Sequence, residues 1–595
     1  MTSKVRAGAL TAVIDNGVVR HVRYGGREVL RRVYFAVRDR QWGTLAAELS
    51  NVSLEAGERS FRLSYDAEYR QEEIHFAAKI AVEGDESGRV RWTVEGRALS
   101  TFWKNRVGFC VLHPMECAGR QCRVEHSEGP AERGEFPLRV SPQQPFLDIR
   151  AIRHEIEEGV SAEVRLEGEV FEMEDQRNWT DGSYKIYSTP LRRPFPAQMR
   201  EGAEVRQTVT LRLLPEGAEE PAAGEGRVEL RVSEEKKAAL PAVGLGLPQE
   251  EVRTNGVWVE RLKALNLKHL RAEIDFRRKD AGKGLGAAAR AAAAAGLAVE
   301  AALVVTRDGE AEMREAREIA EAWKLNVCRW MVTPAGRKAA GAEEMLAARR
   351  ALGTAVPLIA GTQGYFADLN RNRPEAELLD GVCFTANPQV HQTDDATLAD
   401  NAAGTGAAVE CAREFAEGRT VHVSPVTLRP RTAHGADARQ QSWLAALWTL
   451  VHLKHAAAAG AASVTYYETC GEKGVMSRMG EEVYPVWHAL REVGEFAGGE
   501  AAWLETSGAP EVDGLALRLG RKTRVLFGNF TEEARAVRLN CGGLGALTGF
   551  RSVEGSEAPV ELGEEWMDVA LAAGGLVRAD FEMPARVEEA DGGEE

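Results

Sequence analysis

The sequence predicts a multidomain α/β plus all-β protein, with a central (β/α)8 TIM barrel between two β-sandwiches. Three observations lead there. Between residues 241 and 500, short apolar runs alternate eight times with Ala-rich helical segments. That stretch is about 260 residues long, close to the ~250 typical of such barrels. On both sides of it the texture changes to period-two alternation broken by turn residues, the pattern of antiparallel sheet.

Residues 1–235 are expected to form the N-terminal sandwich. VRWTVEGRAL and AEVRLEGEVFEME alternate apolar and polar positions, and Asn16-Gly17 and Gly25-Gly26 mark turns. The Gly-, Pro-, Ala- and Glu-rich residues 215–227 read as a surface loop or a border. VELRVSE, which follows, reads as one more strand of the first domain. The barrel, residues 241–500, takes its strands from VGLGL at 243, HLRAEID at 269, AVEAALVV at 298 and NVCRWMV at 326. PLIAGT at 357, GVCFTAN at 381, VHVSPVTL at 421 and SVTYYET at 463 complete the set. Continuous apolar runs suit parallel strands buried on both faces. GLGAAARAAAAAG and EAEMREAREIAEAWK are helices between them. In the helix of RQQSWLAALWTLVHLKHAAAAG, Leu444, Leu447, Trp448 and Val451 share one face at spacing three and four. A doubly wound open sheet is the rival, but no GxGxxG follows the first strand. Residues 501–584, with LALRLGRKTRVLFGNF and TEEARAVRLN, are expected to form a small C-terminal sandwich. Residues 585–595 are an acidic tail.

At 595 residues the chain is too long for a single core. Its formal charge of −15, with no basic stripe interleaved with aromatics, argues against a nucleic-acid or anionic-membrane partner. No apolar run is long enough to span a membrane, and the N-terminus does not read as a signal peptide. The eight cysteines are scattered without a CxxC pair, which fits a reduced, cytoplasmic setting.

Barrel enzymes collect their chemistry at the C-terminal ends of the strands. Glu468 ends the eighth strand between Tyr466, Tyr467 and a Cys-Gly turn. It is the first candidate for acid–base work, with its flanking tyrosines expected to limit hydration and raise its pKa. Glu273, near the end of the second strand, is the second carboxylate. It alternates with Arg271 and Asp275, so a salt bridge inside the barrel is its bland alternative. The sixth strand runs into TANPQVHQTDD and offers Asn387, Gln389 and His391 as substrate-binding groups. Asp394 or Asp395 reads there as a helix N-cap. Tyr365 follows the fifth strand. In the first domain, EDQRNWTDGSYK sets Asp175 and Asn178 beside Trp179, an aromatic plate among polar groups of the kind that holds a sugar. This hairpin is expected at the barrel rim. No HExxH or GxSxG occurs, and the first strand lacks HxH, so neither a metal nor a cofactor is called for.

The stretches VLRRVYFAVRDRQWGT, NRVGFCVLHP, SPQQPFLDIRA, FEMEDQRNWTDGSYKIYSTPL, NPQVHQTDD, VSPVTLRPR and TYYETCGEKGVM carry a resemblance. Through them the chain resembles the D-apionate lactonase family. The resemblance implies a β domain, a TIM barrel and a second β domain. It also implies hydrolysis of D-apionolactone to D-apionate in apiose catabolism. It supplies no catalytic set, so the site residues rest on the barrel argument. The architecture also looks like that of clan A glycoside hydrolases, which place an acid after strand four and a nucleophile after strand seven. Here CRWMVTPAG and SPVTLRPR carry neither carboxylate. The readings are therefore a lactonase acting on a sugar-derived lactone, a glycoside hydrolase using two rim carboxylates, or a non-catalytic carbohydrate-binding protein. In each the partner is a small sugar or sugar lactone, with the oligomeric state left open.

Overall fold

The computed structural model describes residues 2–218, 226–249, 254–555 and 559–584; the expected acidic tail lies outside the described residues. The chain divides into two compact units. One holds residues 1–177 and 182–226, the other residues 178–181 and 227–595.

The first unit is built from two antiparallel sheets, of eight and nine strands, that share one core. Alternation decides which side chains enter it. Along Ile74–Gly84, for instance, Ile74, Phe76, Ala78, Ile80 and Val82 are buried. Phe35 of one sheet meets Tyr69 and Phe76 of the other at ring-centroid distances of 6.1 and 6.0 Å. Aromatic pairs at such spacing contribute beyond the area they bury.

In the second unit eight parallel strands close into a barrel. They are β1 (Ala242–Gly246), β2 (His269–Asp275), β3 (Ala298–Val305), β4 (Val327–Pro334), β5 (Leu358–Tyr365), β6 (Gly381–Ala386), β7 (Thr420–Val426) and β8 (Ser463–Glu468). Each falls on one of the eight apolar runs. Helices intervene; the poly-Ala helix Ala281–Ala295 stops where Gly296 takes a left-handed φ of 71°. The barrel interior is polar where branched aliphatics usually dominate. His269 and Arg271 of β2, Glu300 of β3 and Ser424 of β7 are all buried there. Gly244 on β1 makes room, since a Cβ at that position would meet the His269 ring at 2.2 Å.

Two expectations change. The strand Val228–Ala239, expected to end the first domain, pairs antiparallel with Glu500–Thr506 and parallel with Arg535–Asn540. It is thereby a central strand of the C-terminal sheet. That sheet is one continuous nine-stranded path. Strands from both of its halves contribute to a single core, so it folds over on itself. The helix Trp443–Ala458 is buried on nearly all sides, not along one face. The C-terminal sheet covers its outer side: Lys454 is ion-paired with Asp513, and Leu447 lies against Gly528.

Candidate active site

A cavity of about 910 Å3 opens at the carboxyl ends of β1, β2, β7 and β8. Glu468 and Glu273 both line it. With these two included, the lining holds four Asp or Glu side chains against six Arg or Lys.

Glu468 owes its position to a break in the strand. Beside β1, Leu245 pairs with Tyr466 and Gly246 with Glu468, so Tyr467 is an extra residue in the ladder. Tyr467 has a φ of 38°, uncommon for a residue with a Cβ. Both tyrosine hydroxyls are thereby directed to the helix Trp443–Ala458, Tyr466 bonding His452 and Tyr467 bonding Thr449, each at 2.8 Å. Both hydroxyls thus turn away from Glu468. Gly246 permits the bulge, because a Cβ there would come within 2.6 Å of the Tyr467 carbonyl oxygen.

Glu273 has the salt bridge foreseen as its alternative. Arg431, from the loop after β7, donates to its Oε2, and Arg271 lies 3.5 Å from the same oxygen. Burial alone would raise the Glu273 carboxyl. The charges of Arg431 and Arg271 outweigh that, and its pKa lies below the ordinary value. Arg271 in turn donates to Glu300 at 3.1 Å and to Ser424 at 3.1 Å. Glu300 also receives Arg329 at 2.8 Å and lies 3.6 Å from His269. Burial opposes its charge, but the charges of Arg329 and Arg271 hold it ionised, well below the usual carboxylate range. Burial pushes His269 down to about 4.

The remaining expected residues lie outside the lining of this cavity. Gln389 is a brace: its amide donates to the Leu428 carbonyl at 2.7 Å and to Asp437 at 2.8 Å, and accepts from Arg439 at 2.9 Å. These bonds tie the loop after β6 to the loop that carries Arg431. Asn387 accepts from the Gln389 backbone N–H at 3.1 Å and bonds the Tyr365 side chain. Asp394 caps its helix through the Thr397 N–H, and Asp395 pairs with Arg439. Asp175 lies in the first unit, buried and occupied by Arg177 and the Ser141 N–H. Residues 178–181 belong to the barrel's unit. There Asn178 accepts from Asn370 at 3.0 Å, and Asp181 holds His391 Nδ1 at 2.5 Å and accepts from Asn401 at 3.0 Å. Trp179 meets Tyr365 at 5.6 Å and His391 at 6.2 Å between ring centroids. Apart from Asp175 and Gln389, the expected residues thus form two groups, the two glutamates in the cavity and the set around Trp179 and Tyr365. Arg431 and Glu300 escaped the sequence reading. The signals were RPR in the seventh βα loop and one Glu inside the apolar run AVEAALVV.

Fold and cavity define the class: a (β/α)8-barrel protein with carboxylates and guanidiniums gathered at the carboxyl rim, the usual seat of chemistry in such barrels. Residues 1–216 match the family model described as D-apionate lactonase, N-terminal domain, and residues 243–498 match D-apionate lactonase, TIM barrel domain. A D-apionate lactonase of Brucella anthropi is 31% identical over 410 residues, 66% of this chain and 67% of that protein. The chain belongs to the D-apionate lactonase family. Among solved structures, a GH30 endoxylanase from Clostridium papyrosolvens is 11% identical with a TM-score of 0.44. A family 51 α-L-arabinofuranosidase from Bifidobacterium longum is 14% identical with a TM-score of 0.45. Each match covers 60% of this chain and 100% of the other.

Proposed function

We propose that this protein hydrolyses a sugar-derived lactone, of the D-apionolactone to D-apionate type, in the cavity lined by Glu468 and Glu273. The observation that carries the reading is the excess of cationic side chains around two carboxylates in one cavity. Lactone opening builds an oxyanion on the carbonyl oxygen and ends in a carboxylate, and guanidiniums stabilise both.

In this reading Glu468 takes a proton from the attacking water as the new C–O bond forms. Arg271 and Arg431 face the tetrahedral oxyanion. When that intermediate collapses, the ring C–O bond breaks and Glu468 returns the proton to the departing ring oxygen. Glu273 stays ionised and holds Arg431 in place. A glycoside hydrolase would need one of the two carboxylates protonated as general acid. With Glu273 held below its ordinary pKa, that acid would have to be Glu468.

The experiment is a substrate comparison. An unbuffered solution of D-apionolactone should acidify on adding the enzyme, while aryl glycosides should stay intact. Cleavage of aryl glycosides without lactone turnover would replace this reading with the glycosidase one. Sugar binding without turnover of either substrate would favour a non-catalytic protein.

A further inference from the structure

The charged side chains that run from the barrel interior into the cavity alternate in sign. Arg329 touches Glu300, Glu300 touches Arg271, Arg271 touches Glu273, and Glu273 touches Arg431. That is three guanidiniums against two carboxylates. The lower carboxylate, Glu300, is fully buried and does not line the cavity, whereas Arg271, Glu273 and Arg431 all do. Ser424 adds a second fixed point, since it bonds both Arg271 and Glu300. From the opposite end, Gln363 of β5 accepts from Arg431 at 2.8 Å and itself donates to Thr333 at 3.1 Å. The two guanidiniums of this row that reach the cavity, Arg271 and Arg431, are thus aimed by buried or half-buried partners. The chain of charges lacks one negative group, and its open end faces the cavity.

We propose that Arg271 and Arg431 form a carboxylate clamp for the ring-opened sugar acid, and that Glu300 is the positioning residue that aims Arg271. The proposal rests on the lactonase reading and names what that site holds after the ring has opened. An isolated buried carboxylate is costly, and a buried one between two guanidiniums is kept only with close pairing. Glu300 has that pairing. Its contribution to the site is the orientation of Arg271, because a guanidinium binds a carboxylate through a planar fork whose angle must be right.

The sign of one substitution separates positioning from bulk charge. Glu300→Gln removes a negative charge, so a purely long-range effect would strengthen the binding of an anion. Loss of aim would weaken it. The test is calorimetric binding of D-apionate and of its neutral amide to the full-length protein. The wild type is expected to prefer the carboxylate by about tenfold, the scale of one charge-assisted hydrogen bond. That preference should fall at least severalfold in Arg431→Gln and in Glu300→Gln. An unchanged preference in Arg431→Gln, or tighter carboxylate binding by a folded Glu300→Gln, overturns the clamp. Should Glu300→Gln not fold, Arg431→Gln decides whether the clamp exists, and Glu300→Asp, which keeps the charge but shortens its reach, decides the positioning. A weakened preference there supports it and an intact one overturns it. Carboxylate preference in a wild type that opens no lactone would sink the lactonase reading alone. Lactone turnover without the preference would sink the clamp alone.

Discussion

Replacing Glu468 by Gln keeps the size of the side chain and removes its capacity to carry a proton. General acid–base catalysis typically contributes ~100- to 10,000-fold, and kcat for lactone opening is expected to fall within that range. Any acidic limb of the pH–rate profile that Glu468 supplies should vanish with it. Glu273 cannot supply that limb near neutrality, because Arg431 and Arg271 hold its pKa below the ordinary value and it stays ionised there. Near-wild-type kcat with an unchanged profile in Glu468→Gln would make Glu468 structural. At this scale the sequence showed the two glutamates, since barrel strand ends are where such residues gather. Of their partners it showed only Arg271, two positions from Glu273. Arg431 comes from a loop 158 positions beyond Glu273, and only closure of the barrel brings the two together. Gln389 read as a substrate ligand because its amide could serve either role. Its three bonds to Leu428, Asp437 and Arg439 show a brace.

Among the elements, β8 shows where period-two reasoning stops. Alternation predicts Tyr466 and Glu468 on one side and Tyr467 on the other. The left-handed Tyr467 inserts a bulge, and no residue-type signal marks it, since a Tyr is not a residue that favours positive φ. The helix Trp443–Ala458 fails in the same way, because a face that looks solvent-exposed in one helix is covered by strands from elsewhere in the chain. The helix Pro485–Gly494 carries a similar junction. Its Glu492 is fully buried and meets Arg524 at 2.7 Å, Arg578 at 2.5 Å, Arg491 at 3.1 Å and Arg551 at 3.3 Å. Three of these arginines stand on strands of the C-terminal sheet. Glu492→Gln leaves that cluster without its shared anion. Removing one partner of a buried ion pair typically costs ~3–5 kcal/mol. Thermal unfolding of the barrel and sheet should therefore begin at lower temperature, with kcat at 25 °C retained. A midpoint within experimental error of the wild type would show that the arginines are compensated by Asp580 and Glu495 alone.

For the whole molecule, the barrel was legible because eight apolar runs repeat with helices between them. The grouping of the β strands was not, because pairing is decided across hundreds of residues and Val228–Ala239 carries no mark of its distant partners. Burial of histidines is another property of the entire chain, with consequences for its response to acid. Burial pushes His154 and His269 down to about 4 and His422 and His452 down to about 3. In the unfolded chain each would titrate near ~6.5. Below that value the unfolded state binds protons that the folded state refuses, so the stability these residues contribute is complete above ~6.5 and declines as pH falls toward their folded values. Each histidine steepens the decline by ~1.4 kcal/mol per pH unit within its window. Acid should therefore weaken the protein well above the ordinary carboxylate range. At pH 5.5 unfolding should take up roughly three to four protons from these histidines, and at pH 8 almost none. Calorimetry in buffers of different ionisation enthalpy counts those protons directly. Uptake at pH 5.5 no greater than at pH 8 would mean that these rings are solvated or charged in the folded protein, and the pH response would then have to come from carboxylates such as Glu300 at lower pH.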